Sequence, residues 1–374
     1  QGLVENVQIL SSNLVQNGDF SEEGVQEVSN GSFSQEGAEQ VTNGDFATDS
    51  DWNLGSGINI SSGSVNFTGV PNANINQNAS LTTGKTYKIV FTISNYVSGD
   101  IDYNVGGATR QGAVSGNGTY TDYVVSSTGQ LLYFQSDQTL GFDGSIENVS
   151  VREVGQDWDL SSSNISIGED KLVCNNVLEN NAIATQVNVI PVQKQVKVQF
   201  HIVVNSGSFR MLVGSGGTTT IVTTSGTYTF YETSGTGGNL NLQARAGGFD
   251  GSITNISVKE VGMDWSVLNA TITDVGNLNG TGVTSMLHQN ILTNGNTYTS
   301  TFTVSNYNGI GNADIINTSG APYYVINSNG TFTFTFTHTD ASGNIYWRAR
   351  NSAIFSIDDV SVIEITDDTN LPRI

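Results

Sequence analysis

The string Gly141-Phe-Asp-Gly-Ser-Ile-Glu-Asn-Val-Ser-Val-Arg-Glu-Val-Gly155 returns as Gly248-Phe-Asp-Gly-Ser-Ile-Thr-Asn-Ile-Ser-Val-Lys-Glu-Val-Gly262, and a degenerate third copy is Phe355-Ser-Ile-Asp-Asp-Val-Ser-Val362. Chance does not produce a shift of 107 residues at this fidelity, so an internal repeat organises the chain. The register holds elsewhere. Trp52, Trp158 and Trp265 open three units, and Leu81-Thr-Thr-Gly-Lys-Thr-Tyr87 matches Leu292-Thr-Asn-Gly-Asn-Thr-Tyr298. Gly118-Thr-Tyr120, Gly226-Thr-Tyr228 and Gly330-Thr-Phe332 each begin another matching segment.

Within these segments side chains alternate with period two, the pattern of a strand with one face buried and one wet. Tyr87, Ile89, Phe91 and Ile93 share a face, as do Phe332, Phe334, Phe336 and His338, with Thr331, Thr333, Thr335 and Thr337 opposite. A strand of this kind needs a second sheet over its apolar side, so each unit reads as a two-sheet antiparallel sandwich. The expected fold class is all-β: three tandem antiparallel β-sandwich modules, at 41–155, 156–262 and 263–366, preceded by a short β-repeat N-terminal segment at 1–40. Residues 367–374 read as a linker to a further domain.

The N-terminal segment has its own period. Val15-Gln-Asn-Gly-Asp-Phe20, Val28-Ser-Asn-Gly-Ser-Phe33 and Val41-Thr-Asn-Gly-Asp-Phe46 start 13 residues apart. One such unit offers a single Phe for burial and cannot make a core alone, so it must stack on its neighbours, on a module or on other chains. Read as a stem, the segment calls for a homo-oligomer, with a trimer favoured, to bury Phe20, Phe33 and Phe46.

Composition narrows function. The 374 residues carry 13 Lys and Arg against 34 Asp and Glu, a formal charge of −21, which argues against nucleic acid as a partner because phosphate contacts require a Lys/Arg surface. No stretch is long and apolar enough for a membrane helix. The single cysteine, Cys174, allows no intramolecular disulfide and reads as a small buried residue.

Two resemblances follow from the quoted motifs. Asn43-Gly-Asp-Phe46 followed by Trp52, and the closing Ile357-Asp-Asp-Val360, resemble the carbohydrate-binding jelly rolls of families 4 and 9 over residues 41–366. Only the first module has the full opening; the second and third keep the Trp alone. The tandem Val-x-Asn-Gly-Asp-Phe-Ser-x-Glu-Gly units and the run Asp368-Thr-Asn-Leu-Pro-Arg-Ile374 are similar to stretches of structural and tail-fibre proteins of bacteriophages, particularly marine ones. Together these imply a jelly-roll fold and a virion structural protein, a fibre or decoration, located on the particle surface. Its implied partners are other virion proteins and host-surface polysaccharide. The competing expectation is a secreted or cell-surface bacterial adhesin, or the glycan-binding portion of a polysaccharide-degrading enzyme.

A catalytic reading finds little. His201, His288 and His338 lie in unrelated strand contexts, and Asp143 and Asp250 recur at equivalent module positions, which points to a structural turn. The expectation is therefore no enzyme. Related jelly rolls often hold a structural Ca²⁺ near the closing strand, and here Asp358 and Asp359, or Asp45 and Asp143 in the first module, would supply oxygens, with exposed acidic turns as the competing reading. The candidate ligand-binding residues come from the strand before the closing repeat: Tyr133 and Gln135, then Asn241, Gln243 and Arg245, then Tyr346, Arg348 and Arg350. Aromatic rings stack on the apolar face of a pyranose, and amides or guanidinium groups bond its hydroxyls. Solvated strand residues are the competing reading.

Overall fold

The computed structural model describes residues 9–107 and 113–366, all of it strands, turns and irregular chain, with no helix among the described residues. The expected linker at 367–374 and the run Asp368–Ile374 lie outside the described residues. The chain is all-β and forms three antiparallel sandwich modules in the jelly-roll manner, each with its own apolar core.

In the first module one sheet runs in the order Gly118–Val125, Thr86–Gly99, Phe142–Val154, Ser64–Thr68, Ile58–Ser61, and the other in the order Asn53–Leu54, Asn74–Asn78, Leu131–Ser136, Ile101–Val105. The third module repeats this plan with Gly330–Thr337, Thr297–Ser305, Ile354–Thr366, Gly276–Asn279 and Ala270–Ile272 over Ser266–Leu268, Ser285–Asn290, Asn344–Arg350, Asn312–Ile316 and Pro322–Ile326. The second departs from the expected pair of sheets. Its strands Gln195–Val213 and Leu240–Val261 bend through both layers, at register shifts such as that between Gly207 and Phe209, and join them into one eight-stranded sheet.

The alternation read from sequence sets what is buried. Tyr87, Ile89, Phe91 and Ile93 are all at most 1% exposed and face the first core. The matched loop Leu81–Tyr87 owes its recurrence to a hydroxyl: Tyr87 Oη accepts the amide of Thr82, and Tyr298 Oη that of Thr293, both at 2.7 Å. His338 ends the stripe fully buried, between Tyr323 Oη at 2.6 Å and the carbonyl of Ser342 at 2.7 Å. Cys174 is buried as expected, and burial pushes its thiol up to about 12.

The quoted repeat string contains a bulge. Asn148, Asn255 and Asp359 take φ of 53°, 54° and 50°, and the ladder slips there in all three modules. Asn and Asp tolerate this left-handed geometry, which explains why an Asx residue stands at the position. The bulge aims the next amide away from its own sheet. Those amides, of Val149, Ile256 and Val360, donate to the carbonyls of Gly44, Gly31 and Gly18 at 2.8, 2.9 and 2.9 Å.

Here the N-terminal repeats find their place. The third repeat docks on the first module, the second on the second and the first on the third, so the segment runs antiparallel to the order of the modules as a strap. Short strands Glu36–Glu39, Glu23–Gln26 and Ile9–Asn13 pair with the far ends of the three closing strands. Phe46, Phe33 and Phe20 pack on Trp52, Trp158 and Trp265 with ring centroids 5.3, 5.2 and 4.9 Å apart. Each Trp donates its indole N–H to the carbonyl of the Asn of the repeat, at 3.1, 3.1 and 2.9 Å. A buried glutamine closes each dock with a reciprocal amide pair. Gln77 bonds Thr42 both ways at 3.0 Å, Gln186 bonds Ser29 at 3.1 and 2.5 Å, and Gln289 bonds Gln16 at 3.1 and 2.7 Å.

Of the routes open to Phe20, Phe33 and Phe46, which were neighbouring repeats, a module or other chains, the chain uses the second. These residues are 2%, 1% and 1% exposed within one chain, each inside a module's core, so the ground given for a trimeric stem is gone. The openings that the second and third modules lacked are supplied from the strap. The Gly of each Asn-Gly is fixed by close approach: a Cβ on Gly44, Gly31 or Gly18 would lie 2.0, 2.0 or 2.1 Å from the carbonyl oxygen of Val149, Ile256 or Val360, the residue after the bulge position. The three Phe residues themselves hold φ of 51°, 59° and 54°, a geometry that costs a side-chain-bearing residue about 1–2 kcal/mol and that the surrounding contacts must offset.

Candidate functional site: three outward sheet faces

The strand before each closing repeat lies in the second layer of its module, and period two sends alternate residues to the core and to the outside. Leu132 and Phe134, Leu242 and Ala244, and Ile345 and Trp347 are buried, so the eight candidate residues fall on the outward side, as their spacing predicts. They make three separate faces, one per module.

On the first face Tyr133 is half-buried and stands between Asn76 and Asn104 of the flanking strands, while Gln135 donates its amide to the side chain of Asn72. On the second, Asn241 accepts from the hydroxyl of Thr185 at 2.9 Å. Gln243 accepts from Arg210 Nε at 3.0 Å and donates to the carbonyl of Asn180 at 3.1 Å. Arg245 donates to the side-chain oxygen of Asn180. On the third, Arg348 is only 9% exposed and forks onto Asp314 through two bonds of 2.8 Å, with Arg350 at 3.6 Å from the same carboxylate. Tyr346 lies against the ring of His288, centroids 4.6 Å apart. Burial holds His288 below the ordinary histidine value.

Cross-strand neighbours complete these faces: Asn76 and Asn104, Arg210 and Asn180, His288 and Asp314. They lie far from the candidates in sequence, and only strand pairing brings them together. The third face offers an aromatic ring beside a planar, charged fork. The second offers amides and guanidinium groups without an aromatic.

Of the carboxylates expected to hold Ca²⁺, Asp45 accepts from the amide of Ala47 at 3.3 Å and Asp358 from that of Asp359 at 2.8 Å. Asp359 occupies the bulge position that Asn148 and Asn255 fill in the other modules. Burial, and then the neighbouring Asp359 and Asp19 charges, push Asp358 up from the usual carboxylate value. Asp143 and Asp250, read from the sequence as turn residues, lie instead within the strands Phe142–Val154 and Leu240–Val261, where Asp250 accepts from Asn176 N at 3.1 Å and Asn205 Nδ2 at 2.8 Å. No group of three or more His, Cys, Asp or Glu side chains placed to hold a metal ion occurs among the described residues. A cleft of about 630 Å³ lies at the seam of the second and third modules, lined by Lys194, Glu260, Asp264 and Trp265; it is a joint between modules, away from the candidate faces.

No family model and no curated protein matches the chain. Among solved structures, the tandem CBM22-1–CBM22-2 domain of Xyn10C from Paenibacillus barcinonensis is similar at 8% identity and a TM-score of 0.27, covering 61% of this chain and 99% of that one. A protein with the triple jelly roll fold from the turret of an archaeal virus is similar at 12% identity and a TM-score of 0.17, covering 84% of this chain and 89% of that one. A chain from Sulfolobus Turreted Icosahedral Virus gives 11% identity, a TM-score of 0.17 and coverage of 84% and 90%. Scores this low leave the reading of function to the chain's own residues.

Proposed function

We propose that the chain is a non-catalytic virion structural protein, a fibre or decoration, that displays three sandwich faces toward host-surface polysaccharide. The observation that carries the reading is that one strap fastens all three modules, so three polar faces in the same strand register belong to one continuously tethered unit. Single sugar-binding faces of this size are weak, and tethering turns the second and third contacts into intramolecular events that raise overall avidity by orders of magnitude. Tyr346 and Tyr133 supply the stacking surfaces, and Arg348, Arg350, Gln135, Asn241, Gln243 and Arg245 the hydrogen bonds. The virion setting is supported by the likeness of the Val-x-Asn-Gly-x-Phe units to phage structural proteins.

The test is a glycan array with the intact chain, paired with mass spectrometry of purified particles. Binding to some glycans that weakens on Tyr346→Ala or Tyr133→Ala is expected, along with the protein's presence in particles. Blank arrays with folded protein would remove the glycan role, and absence from particles would remove the virion.

A further inference from the structure

Every described lysine and arginine except two is ion-paired with a carboxylate. Lys85, Lys88, Lys171, Lys194, Lys197, Lys259 and Arg152 pair with glutamates, and Arg348 and Arg350 share Asp314. In a chain with 34 acidic and 13 basic residues such pairing is what electrostatics favours. The exceptions are Arg210 and Arg245, and both stand on the outward face of the second module.

Their partners there are neutral amides: Arg210 Nε bonds Gln243 Oε1 at 3.0 Å, and Arg245 bonds the side chain of Asn180. Arg245 Nε is buried with no partner at all. The two guanidinium groups repel. Burial, and then the charge of Arg245, hold Arg210 below its ordinary value, with no carboxylate acting on it in the opposite sense. Keeping two like charges adjacent, partly desolvated and uncompensated is unfavourable, and an acidic chain has carboxylates to spare for neutralising them. The third module uses that remedy with Asp314 at its own face. The face of the second module also has no aromatic side chain among Asn241, Gln243 and Arg245 on which a neutral sugar could stack.

We infer that the outward face of the second module is a site for an anionic group of a polysaccharide, a carboxylate or a sulfate ester, held between Arg210 and Arg245 with Asn241 and Gln243 bonding adjacent hydroxyls. The inference rests on the glycan-display reading and specifies its ligand. Guanidinium forks match the planar oxygens of a carboxylate and the oxygens of a sulfate, and Arg suits a half-buried anion site better than Lys because it is more weakly hydrated. The strong net negative charge elsewhere repels polyanions, and a loss of their binding in the Arg210 or Arg245 variants assigns that binding to this face.

The experiment is calorimetric titration of the intact chain with polygalacturonate (carboxylate), dextran sulfate (sulfate ester) and unmodified dextran and xylan (neutral), repeated with Arg210→Gln, Arg245→Gln and Arg245→Lys. At least one acidic probe is expected to bind, to lose tenfold or more in affinity in each Gln variant, and to lose less in Arg245→Lys, with melting temperature unchanged. Preference between the two acidic probes identifies the group. Acidic probes bound equally by chain and Gln variants, or binding of neutral probes alone, would overturn the inference and leave the glycan reading standing. No binding to any probe would remove both.

Discussion

Trp265 donates its indole N–H to the carbonyl oxygen of Asn17 at 2.9 Å, a bond that joins residues 248 positions apart. The same bond links Trp158 to Asn30 and Trp52 to Asn43, where the separations are 128 and 9. Loop-closure entropy grows only logarithmically, by about 0.6 kcal/mol per doubling of length, so identical docks at such different separations are energetically reasonable. The strap is a set of three equivalent plugs, each supplying a module with a strand end, an aromatic ring and a glycine that fits against a bulge.

Phe20→Ala removes a buried ring from the third module alone. A loss of roughly 3–5 kcal/mol is expected, and because alanine keeps the Cβ that opposes the left-handed backbone, no strain is relieved in return. Calorimetry should show one transition moving down while the other two hold their positions. Movement of all three together would mean that the docks are not independent.

Gly44→Ala places a Cβ where the carbonyl of Val149 stands, 2.0 Å away. The dock on the first module must open or shift, at a cost on the order of 2–3 kcal/mol, the upper range of single substitutions. Limited proteolysis between residues 36 and 50 should accelerate, and a variant cut no faster than the parent chain would contradict the close approach.

Gln186→Ala deletes both bonds of a reciprocal pair and leaves the amide and carbonyl of Ser29 without their partners. Each bond contributes about 1 kcal/mol and each stranded group costs about 1–3 kcal/mol, so the second module should lose at least 2 kcal/mol in denaturant unfolding. Gln186→Glu keeps one acceptor but buries a carboxylate oxygen against the carbonyl of Ser29, and should cost at least as much as the alanine variant.

Glu23 bridges Lys197 at 2.7 Å and Lys259 at 2.9 Å, and hydrogen bonds from Lys197 and then Lys259 hold its carboxyl below the usual value. A lowered folded-state pKa contributes stability that is complete above the unfolded value of about 4.3 and is lost as pH falls through the folded one. The side chain is part-exposed, so the contribution is roughly 0.5 kcal/mol per pair. Glu23→Gln should therefore lower the melting temperature at pH 7, with the difference from the parent chain shrinking as pH falls below the unfolded value and through the lowered folded one. A difference that persisted in acid would assign the effect to packing.

Much of this was legible in the sequence. The repeated string at 141–155 and 248–262, with Trp52, Trp158 and Trp265, fixes three modules, because strand alternation is a local property. The destination of the strap was not legible, because pairing between residues such as Gln26 and Lys259 is a long-range choice that no local pattern encodes. A signal was present all the same: three Asn-Gly-x-Phe units, three tryptophans, and two modules without an opening. Along the candidate faces, parity puts Tyr346, Arg348 and Arg350 on the side opposite the buried Ile345 and Trp347. Their cross-strand companions His288 and Asp314, and the unpaired Arg210 beside Arg245, emerge only from strand register. The continuous sheet of the second module was missed because Gln195–Val213 alternates regularly on both sides of its bend.

Hydrogen exchange at three amides tests the reversed strap most directly. In the chain lacking residues 1–34, protection at Ile256 and Val360 should collapse, because their acceptors Gly31 and Gly18 are gone, while Val149, still bonded to Gly44, keeps its protection. Unchanged protection at Ile256 and Val360 in the shortened chain would contradict the docking of the first two repeats on the third and second modules.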